Sequence, residues 1–245
     1  MTGSEHMSTR AVALSVDNSL GTKLLPGVLS VVAGSVDVIS FLGLGGLFAA
    51  HITGNLVVLA AHLATGRAAS IASILSVPVF VAVLGLTRLA AAGVEETGHG
   101  PLQPLLALQV VLLVSFLAVW VAGGAGLDPI APTAVVAGML GIAAMAVQNA
   151  LVRLLVGAPA TAVMTTDITL FMIDVGAMLF LRDPDGVANA RSRARRTWPA
   201  IVGFTVGCSL GAVLEAVIGP WSLALPTGFA LLALALGFSV DSRRR

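Results

Sequence analysis

Runs of about twenty apolar residues recur along most of the chain and limit its fold more than any other feature. A helix needs about 20 such residues to cross the hydrocarbon core of a bilayer. The mean hydropathy is +1.00, and 10% of the 245 residues are charged, against roughly 25% in a soluble domain. The sequence therefore predicts a membrane protein, and it argues against a water-soluble globular domain.

Eight segments come near the spanning length, and the short connections between them leave no room for a soluble domain. We expect helices, because lipid cannot satisfy free backbone groups. The predicted fold is an all-α bundle of about eight hydrophobic helices with six to eight spans. Residues 24–240 form a single transmembrane domain, and residues 1–23 form a flexible cytoplasmic tail. The segments are 24–44, 46–64, 70–92, 102–123, 132–155, 158–181, 198–218 and 220–239.

The cations favour one orientation, because Lys and Arg concentrate on the cytoplasmic side. With eight spans and a cytoplasmic N-terminus, only Arg88 and Arg153 fall outside, and the basic loop 182–196 falls inside. Eight spans are the preferred prediction. In the alternative, segments 46–64 and 158–181 enter the membrane and return on the same side, which leaves six spans. Charge counting does not exclude that topology.

An internal repeat is indicated by an offset of 112 residues, which aligns two stretches without a gap. Random apolar sequence also aligns well, so the argument depends on rare polar positions. We predict repeats over 24–123 and 132–239, parallel with eight spans and inverted with six. The offset brings together Asp37 and Asn149, Thr53 and Thr165, Asn55 and Asp167, and His62 and Asp174.

Polar side chains inside the apolar segments are the candidate functional residues, since such groups are costly in lipid and usually face a bundle interior. Transporters place the substrate near the midplane, between repeats. We predict one central solute site, with proton coupling by Asp37, Asp167 and Asp174. The alternative for Asp37 is a structural role. The solute-binding residues are predicted to be Asp37, His51, Thr53, Asn55, Gln148, Asn149, Thr165 and Asp167.

The sequence leaves the local structure open at two places near these polar residues. Thr53-Gly54 could break the helix and expose backbone groups to a ligand, or Gly54 could be a close-packing contact. Asp167 and Asp174 are seven residues apart on one helix face. They could relay protons, or each could be solvated at one end of the span.

Three classes of function remain open, and small-solute transport is preferred. A membrane-embedded enzyme would need a metal held by residues such as His51, His62, Asp167 and Asp174, whose spacing matches no known ligand pattern. A membrane scaffold predicts that the polar residues pair only with one another. We expect no enzyme activity, no metal and no cofactor. The expected partners are membrane lipid and an unknown small solute, without nucleic acid, and a homo-oligomer is left open.

The stretch Gly34-Ser-Val-Asp37 followed by FLGLGGLFAAHITGN, with Gln148-Asn149 and Thr165-Thr166-Asp167, resembles the YoaK-like family of bacterial membrane proteins (domain of unknown function 1275). The resemblance covers about residues 24–240. It implies a polytopic fold in the bacterial inner membrane and points to transport. His51 and the acidic Asp167 depart from the pattern that the resemblance leads us to expect.

Overall fold

The computed structural model describes residues 20–66, 70–96, 100–124, 128–153 and 164–241, with side chains from 24 to 238. The predicted tail 1–23 lies outside these residues except for 20–23. The first part of the predicted segment 158–181 also lies outside them. Over the described ranges the protein is helical and contains no strand, which confirms the predicted all-α class.

Helices account for nearly all of the described chain, and two of their boundaries differ from the prediction. Segment 46–64 becomes helical only at Ile52, and the predicted loop 182–196 is largely the start of a long helix. That helix begins early because the Asp183 carboxylate accepts the Asp185 and Gly186 N–H groups as an N-cap. The helices are α1 Leu20–Gly43, α2 Ile52–Ala64, α3 Ile71–Glu96, α4 Leu102–Gly123, α5 Pro132–Leu151, α6 Met164–Phe180, α7 Pro184–Ile218, a 3₁₀-helix Gly219–Leu223 and α8 Ala224–Asp241.

Five continuous helical stretches among the described residues are long and apolar enough to cross a membrane. Four of them are α1, α3, α4 and α5. The fifth, Pro184–Phe238, combines α7, the 3₁₀-helix and α8. By contrast, the 13 residues of α2 extend about 20 Å, short of the roughly 30 Å hydrocarbon core. The structure is that of a multi-pass membrane protein.

The buried apolar residues form two layers, and the order in which each helix meets them gives its direction. The layer near the start of α1 contains Leu25 and Leu29, and the other contains Ile39, Leu44 and Leu47. Helix α3 runs the opposite way, from Ala72 in the Leu44 layer to Ala91 in the Leu25 layer. Consecutive long helices α1 and α3 are therefore antiparallel, and α2 between them does not cross.

The remaining helix directions agree with this result. Helix α4 runs parallel to α1, from Leu105 in the Leu25 layer to Trp120 in the Leu44 layer, whereas α5 runs back from Ala134 to Leu151. An alternation of eight spans would make α1 and α4 antiparallel. The preferred eight-span prediction is therefore wrong, and the six-span alternative fits, because the chain returns through α2 instead of crossing.

Helices α1 and α7 lie backbone to backbone. A Cβ atom at Gly203 would meet the Gly27 carbonyl oxygen, and one at Gly207 would meet the Val31 carbonyl oxygen. A Cβ atom at Gly211 would lie 2.7 Å from Val38 Cγ1. This confirms the close helix approach that glycines at a spacing of four predict. Residue numbers increase in the same direction along both helices at these contacts, so α1 and α7 run parallel.

Each half of the chain packs its first helix against the other half. Helix α1 packs on α7 and α8, and α5 packs correspondingly on α3 and α4. The short helix follows the same rule in both halves, with α2 on α3 and α6 on α7. A chain made of two duplicated halves would show this equivalence between the neighbours of corresponding helices. The duplication itself stays a prediction, and with six spans its halves are inverted.

Candidate functional site

Residues 44–51, the return loop, bring the chain back to the middle part of α1. Gly45 and Gly46 have φ values of +66° and +89°, which glycine adopts without steric cost, and so the chain can reverse there. Asp37 Oδ1 then accepts the Ala50 N–H at 2.8 Å and the His51 N–H at 3.2 Å. Asp37 lies six residues before the end of α1, so α2 begins about 9 Å below that end.

The return loop is non-helical backbone in a membrane domain, which is tolerated only where it is buried in protein or lines a cavity. Leu47, Ala49 and Ala50 are buried. Asn55 lies in the first turn of α2 and is fully buried. Its Oδ1 accepts the Phe48 N–H at 2.8 Å, and its Nδ2 donates to the Phe48 carbonyl at 2.7 Å. Asn55 thus satisfies both backbone groups of one loop residue.

Gly54 belongs to the same arrangement. A Cβ atom there would lie 2.9 Å from the Phe48 ring, and the Gly54 N–H bonds the His51 carbonyl at 2.9 Å. The close-packing interpretation of Gly54 fits this contact. The interruption of the helical path lies before Thr53-Gly54, in the return loop.

A buried amide chain links three helices in the core. Gln109 Nε2 donates to Gln148 Oε1 at 2.6 Å, and Gln148 Nε2 donates to the Leu29 carbonyl at 2.9 Å. Both glutamines are almost fully buried, and the Gln109 Oε1 atom has no hydrogen-bond partner among the described residues. The sequence prediction included Gln148 and missed Gln109. A lone amide within the apolar run of α4 was the available signal.

The polar residues of the second half lie near the end of α5 and the start of α6. Asn149 is buried and donates to the Met145 carbonyl of its own helix at 2.9 Å. Asp167 is 1% exposed, and its Oδ2 has no hydrogen-bond partner within the described ranges. Arg153 is within electrostatic range of Asp167. Asp167 is thus a buried carboxylate with hydrogen-bonding capacity left over.

Asp174 has a partner that sequence reasoning did not find. Arg193 of α7 donates to Asp174 Oδ1 through Nε at 2.9 Å and also through Nη2. The carboxylate is buried, whereas the arginine side chain is 55% exposed. Because a buried carboxylate needs a partner, this pair attaches α6 to the first turns of α7. A basic side chain in a presumed loop gave no signal of this contact.

A family model described as "Protein of unknown function (DUF1275)" matches residues 25–236. The chain belongs to the DUF1275 family. The match covers both halves and confirms the predicted resemblance to domain of unknown function 1275. No curated protein and no solved structure matches the chain.

In this DUF1275 chain the eight predicted solute-binding residues do not converge on one point. His51 ends the return loop, and Asp37 and Asn55 bond backbone groups of that loop. Gln148 lies level with Leu29 of α1, eight residues before Asp37, so it is displaced from Asp37 by about 12 Å along the axis. Asn149 adjoins Gln148. The structure therefore separates a first-half group from a second-half group.

The two threonines of the set lie at helix starts, with Thr53 in the first turn of α2 and Thr165 in the first turn of α6, and both are exposed. Within the described ranges, no group of three or more His, Cys, Asp and Glu side chains could hold a metal ion. The described polar residues thus form two separate groups, one in each half, and the glutamine chain connects α4 and α5 to α1 at Leu29.

Proposed function

We propose that this protein transports a small polar solute across the bacterial inner membrane, with possible coupling to protons. The support comes from the architecture of the first half. The chain turns back by about 9 Å from the end of α1, and a short helix then starts beside buried polar residues. Discontinuous helices of this kind form solute sites in transporters with inverted repeats.

The observation that carries the proposal is the parallel direction of α1 and α4. It requires that α2 leave the membrane on the side from which the return loop entered. If the halves are duplicated, α6 does the same from the opposite side. A solute would then meet the return loop of one half from one side and the start of α6 from the other, as alternating access requires.

The cations support one orientation of this six-span arrangement. Of the 13 Lys and Arg residues, only Arg67 falls on the side that receives the return loop. The other twelve (13 minus 1) belong to the tails, to connections or to the helix ends on the opposite side. Because cations concentrate on the cytoplasmic side, we place both termini in the cytoplasm. The return loop then opens toward the outside.

Asp167 has the most direct role in this proposal. It is buried, it has an unpartnered carboxylate oxygen, and it lies in the first turn of α6. It would receive a solute donor group or the coupling proton. Asn149 and Gln148 would supply amide contacts nearby, Thr53 and Thr165 would offer hydroxyl groups, and Asp37 and Asn55 would hold the loop. Asp174 would keep α6 on α7.

Uptake into proteoliposomes tests the proposal. The vesicles receive isotope-labelled amino acids, sugars, nucleobases and short organic acids, with inward or outward pH gradients. We expect the wild type to accumulate one class and Asp167→Asn to lose at least tenfold of that rate. Thr169→Ala, an exposed change on α6, is the matched control. If folded, inserted wild type accumulates no class above empty vesicles, transport is refuted.

A membrane scaffold is the second candidate, and one observation favours it. Asp37, Asn55 and Asn149 all bond groups of their own chain, as a purely structural role predicts. The unpartnered Asp167 Oδ2 favours transport instead. If uptake fails while Asp167→Asn stabilises the protein against heat, the scaffold is preferred, because an unpaired buried carboxylate then brings only cost.

A further inference from the structure

The Asp37 carboxylate makes three contacts with the return loop. Oδ1 accepts two backbone N–H groups of the return loop, and Oδ2 lies 2.7 Å from His51 Nδ1. Asp37 is 5% exposed. It is therefore engaged on both oxygens by the loop that it holds.

The carboxylate fixes the orientation of the His51 ring. Because an ionised carboxylate only accepts hydrogen bonds, Nδ1 carries a hydrogen atom, and in the neutral ring the lone pair belongs to Nε2. Nε2 has no hydrogen-bond partner among the residues that the structure describes, and the side chain is 30% exposed. The basic nitrogen of the pair is thus open to the surroundings.

Aromatic rings hold the imidazole on two sides. The Phe204 ring of α7 lies edge-on with its centroid 5.4 Å away, and the Phe48 ring lies 6.4 Å away. Phe204 is fixed by the close crossing of the helices, where its carbonyl oxygen would meet a Cβ atom at Gly34. These contacts leave the ring little freedom to turn away from Asp37.

We propose that His51 Nε2 is the proton-exchanging atom of the return loop and that Asp37 is its positioning residue. This inference rests on the proposed function. It gives to His51 the proton exchange that the sequence predicted for Asp37 in the first half, and it leaves the role of Asp167 in the second half unchanged. The Nε2 lone pair takes a proton from hydronium: an N–H bond forms, the O–H bond of the hydronium breaks to leave water, and the ring becomes imidazolium. Release reverses both bond changes.

The protonation state controls how firmly the return loop is held on α1. An imidazolium donates a charge-assisted hydrogen bond to Asp37 Oδ2, which is stronger than the bond from a neutral ring. Among the described residues, Cys208 on α7 is a titratable group within electrostatic range of Asp37. The Cys208 thiol donates to the Gly34 carbonyl at 3.4 Å. Proton loss therefore weakens the attachment of the loop.

Nitrogen NMR of ¹⁵N-histidine-labelled protein in nanodiscs tests the inference without any solute. His51→Asn assigns the His51 signal and keeps a donor near the position of Nδ1. We expect the neutral His51 ring to carry its hydrogen on Nδ1 and to gain a second one on Nε2 as the pH falls. A neutral wild-type ring with its hydrogen on Nε2, or a ring that does not titrate, would overturn the inference.

Asp37→Asn provides the second comparison. Loss of the negative charge should lower the proton affinity of His51 about tenfold and should release the Nδ1 tautomer, whereas the His62 signal should not change. An equal change at both histidines would contradict the positioning role. The tautomer of the wild-type ring is sufficient to overturn the inference, so the test remains valid if the Asp37→Asn variant fails to fold.

The proteoliposomes separate this inference from transport itself. Uptake that keeps its dependence on the pH gradient in His51→Asn overturns the coupling role of His51 and leaves transport standing. The expected tautomer together with no uptake of any solute class overturns transport and leaves the proton site supported. Loss of gradient dependence in His51→Asn, with uptake retained, supports both.

Discussion

Individual side chains in this protein form hydrogen bonds with backbone groups that lipid would leave without partners. Asn55 is the clearest case, because one amide bonds both the N–H and the carbonyl of Phe48. An unpaired buried backbone group costs about 1–3 kcal/mol. The polar residues of the first half therefore have a structural task, whatever solute passes.

Asn55→Ala should lower the free energy of unfolding by about 2 kcal/mol, because both Phe48 groups lose their partner. Asn55→Asp should also destabilise, because it keeps an acceptor for the N–H group but places a second oxygen against the Phe48 carbonyl. Thr53→Ala, at an exposed position, is the control and should change little. Thermal unfolding in detergent measures all three. Wild-type stability in Asn55→Ala would show that the loop does not depend on this amide.

Helices in this protein are joined by two different means. Helix α1 meets α7 through glycines that bring the two backbones together, whereas α6 is attached to α7 by the Asp174–Arg193 pair. Lipid chains are as apolar as leucine side chains, so close packing and polar contacts, rather than the hydrophobic effect, must drive helix association. Each contact can be tested separately.

Gly207→Ala should destabilise the protein by about 1–3 kcal/mol, because the added carbon meets the Val31 carbonyl oxygen and the helices must separate. Gly228→Ala is the matched control, since a Cβ atom at that position meets nothing within 4 Å. Unfolding in mixed micelles measures both. If the two variants unfold alike, the close crossing contributes nothing to stability.

Arg193→Gln should destabilise the protein more than Arg191→Gln, because it leaves the buried Asp174 without its ionic partner. The effect should be about 1 kcal/mol, since the arginine is half exposed and water screens the pair. Arg193→Lys should recover part of the loss. Limited proteolysis of the connection between α6 and α7, together with thermal unfolding, measures the order. Equal effects at 191 and 193 would contradict the role of the pair.

The whole molecule is organised by six crossing helices and two shorter ones. Helix α2 starts beside Asp37 and does not cross, so consecutive long helices on either side of it run antiparallel. Helices α1 and α5 likewise run in opposite directions.

Thiol labelling tests the topology. In a Cys208→Ser background, Thr65→Cys at the end of α2 and Glu96→Cys at the end of α3 provide two exposed positions. With six spans and cytoplasmic termini, a membrane-impermeant reagent should label position 65 in intact cells and should label position 96 only after lysis. With the same termini, eight spans predict the reverse. The reversed pattern, with the termini found in the cytoplasm, would refute the arrangement of six crossing helices.

The sequence by itself determined the helical class, the membrane setting and the family, and it pointed to most of the polar residues that form the two groups. These features follow from local properties. A run of apolar residues indicates a membrane helix, and a polar side chain that is costly in lipid indicates a position inside the bundle, wherever either one packs. The sequence could not show which groups meet. Gln109 became important only when Gln148 faced it, and Arg193 only when α7 began early enough to carry it to Asp174.

Only the tertiary structure decided the number of spans. Segment 46–64 has nearly the composition and length of a spanning helix, so hydropathy could not separate crossing from returning. The decision came from Asp37, which binds the return loop six residues before the end of α1, and from the layers in which α1, α3 and α4 meet. Helix direction is a relation between distant parts of the chain, and only packing reveals it.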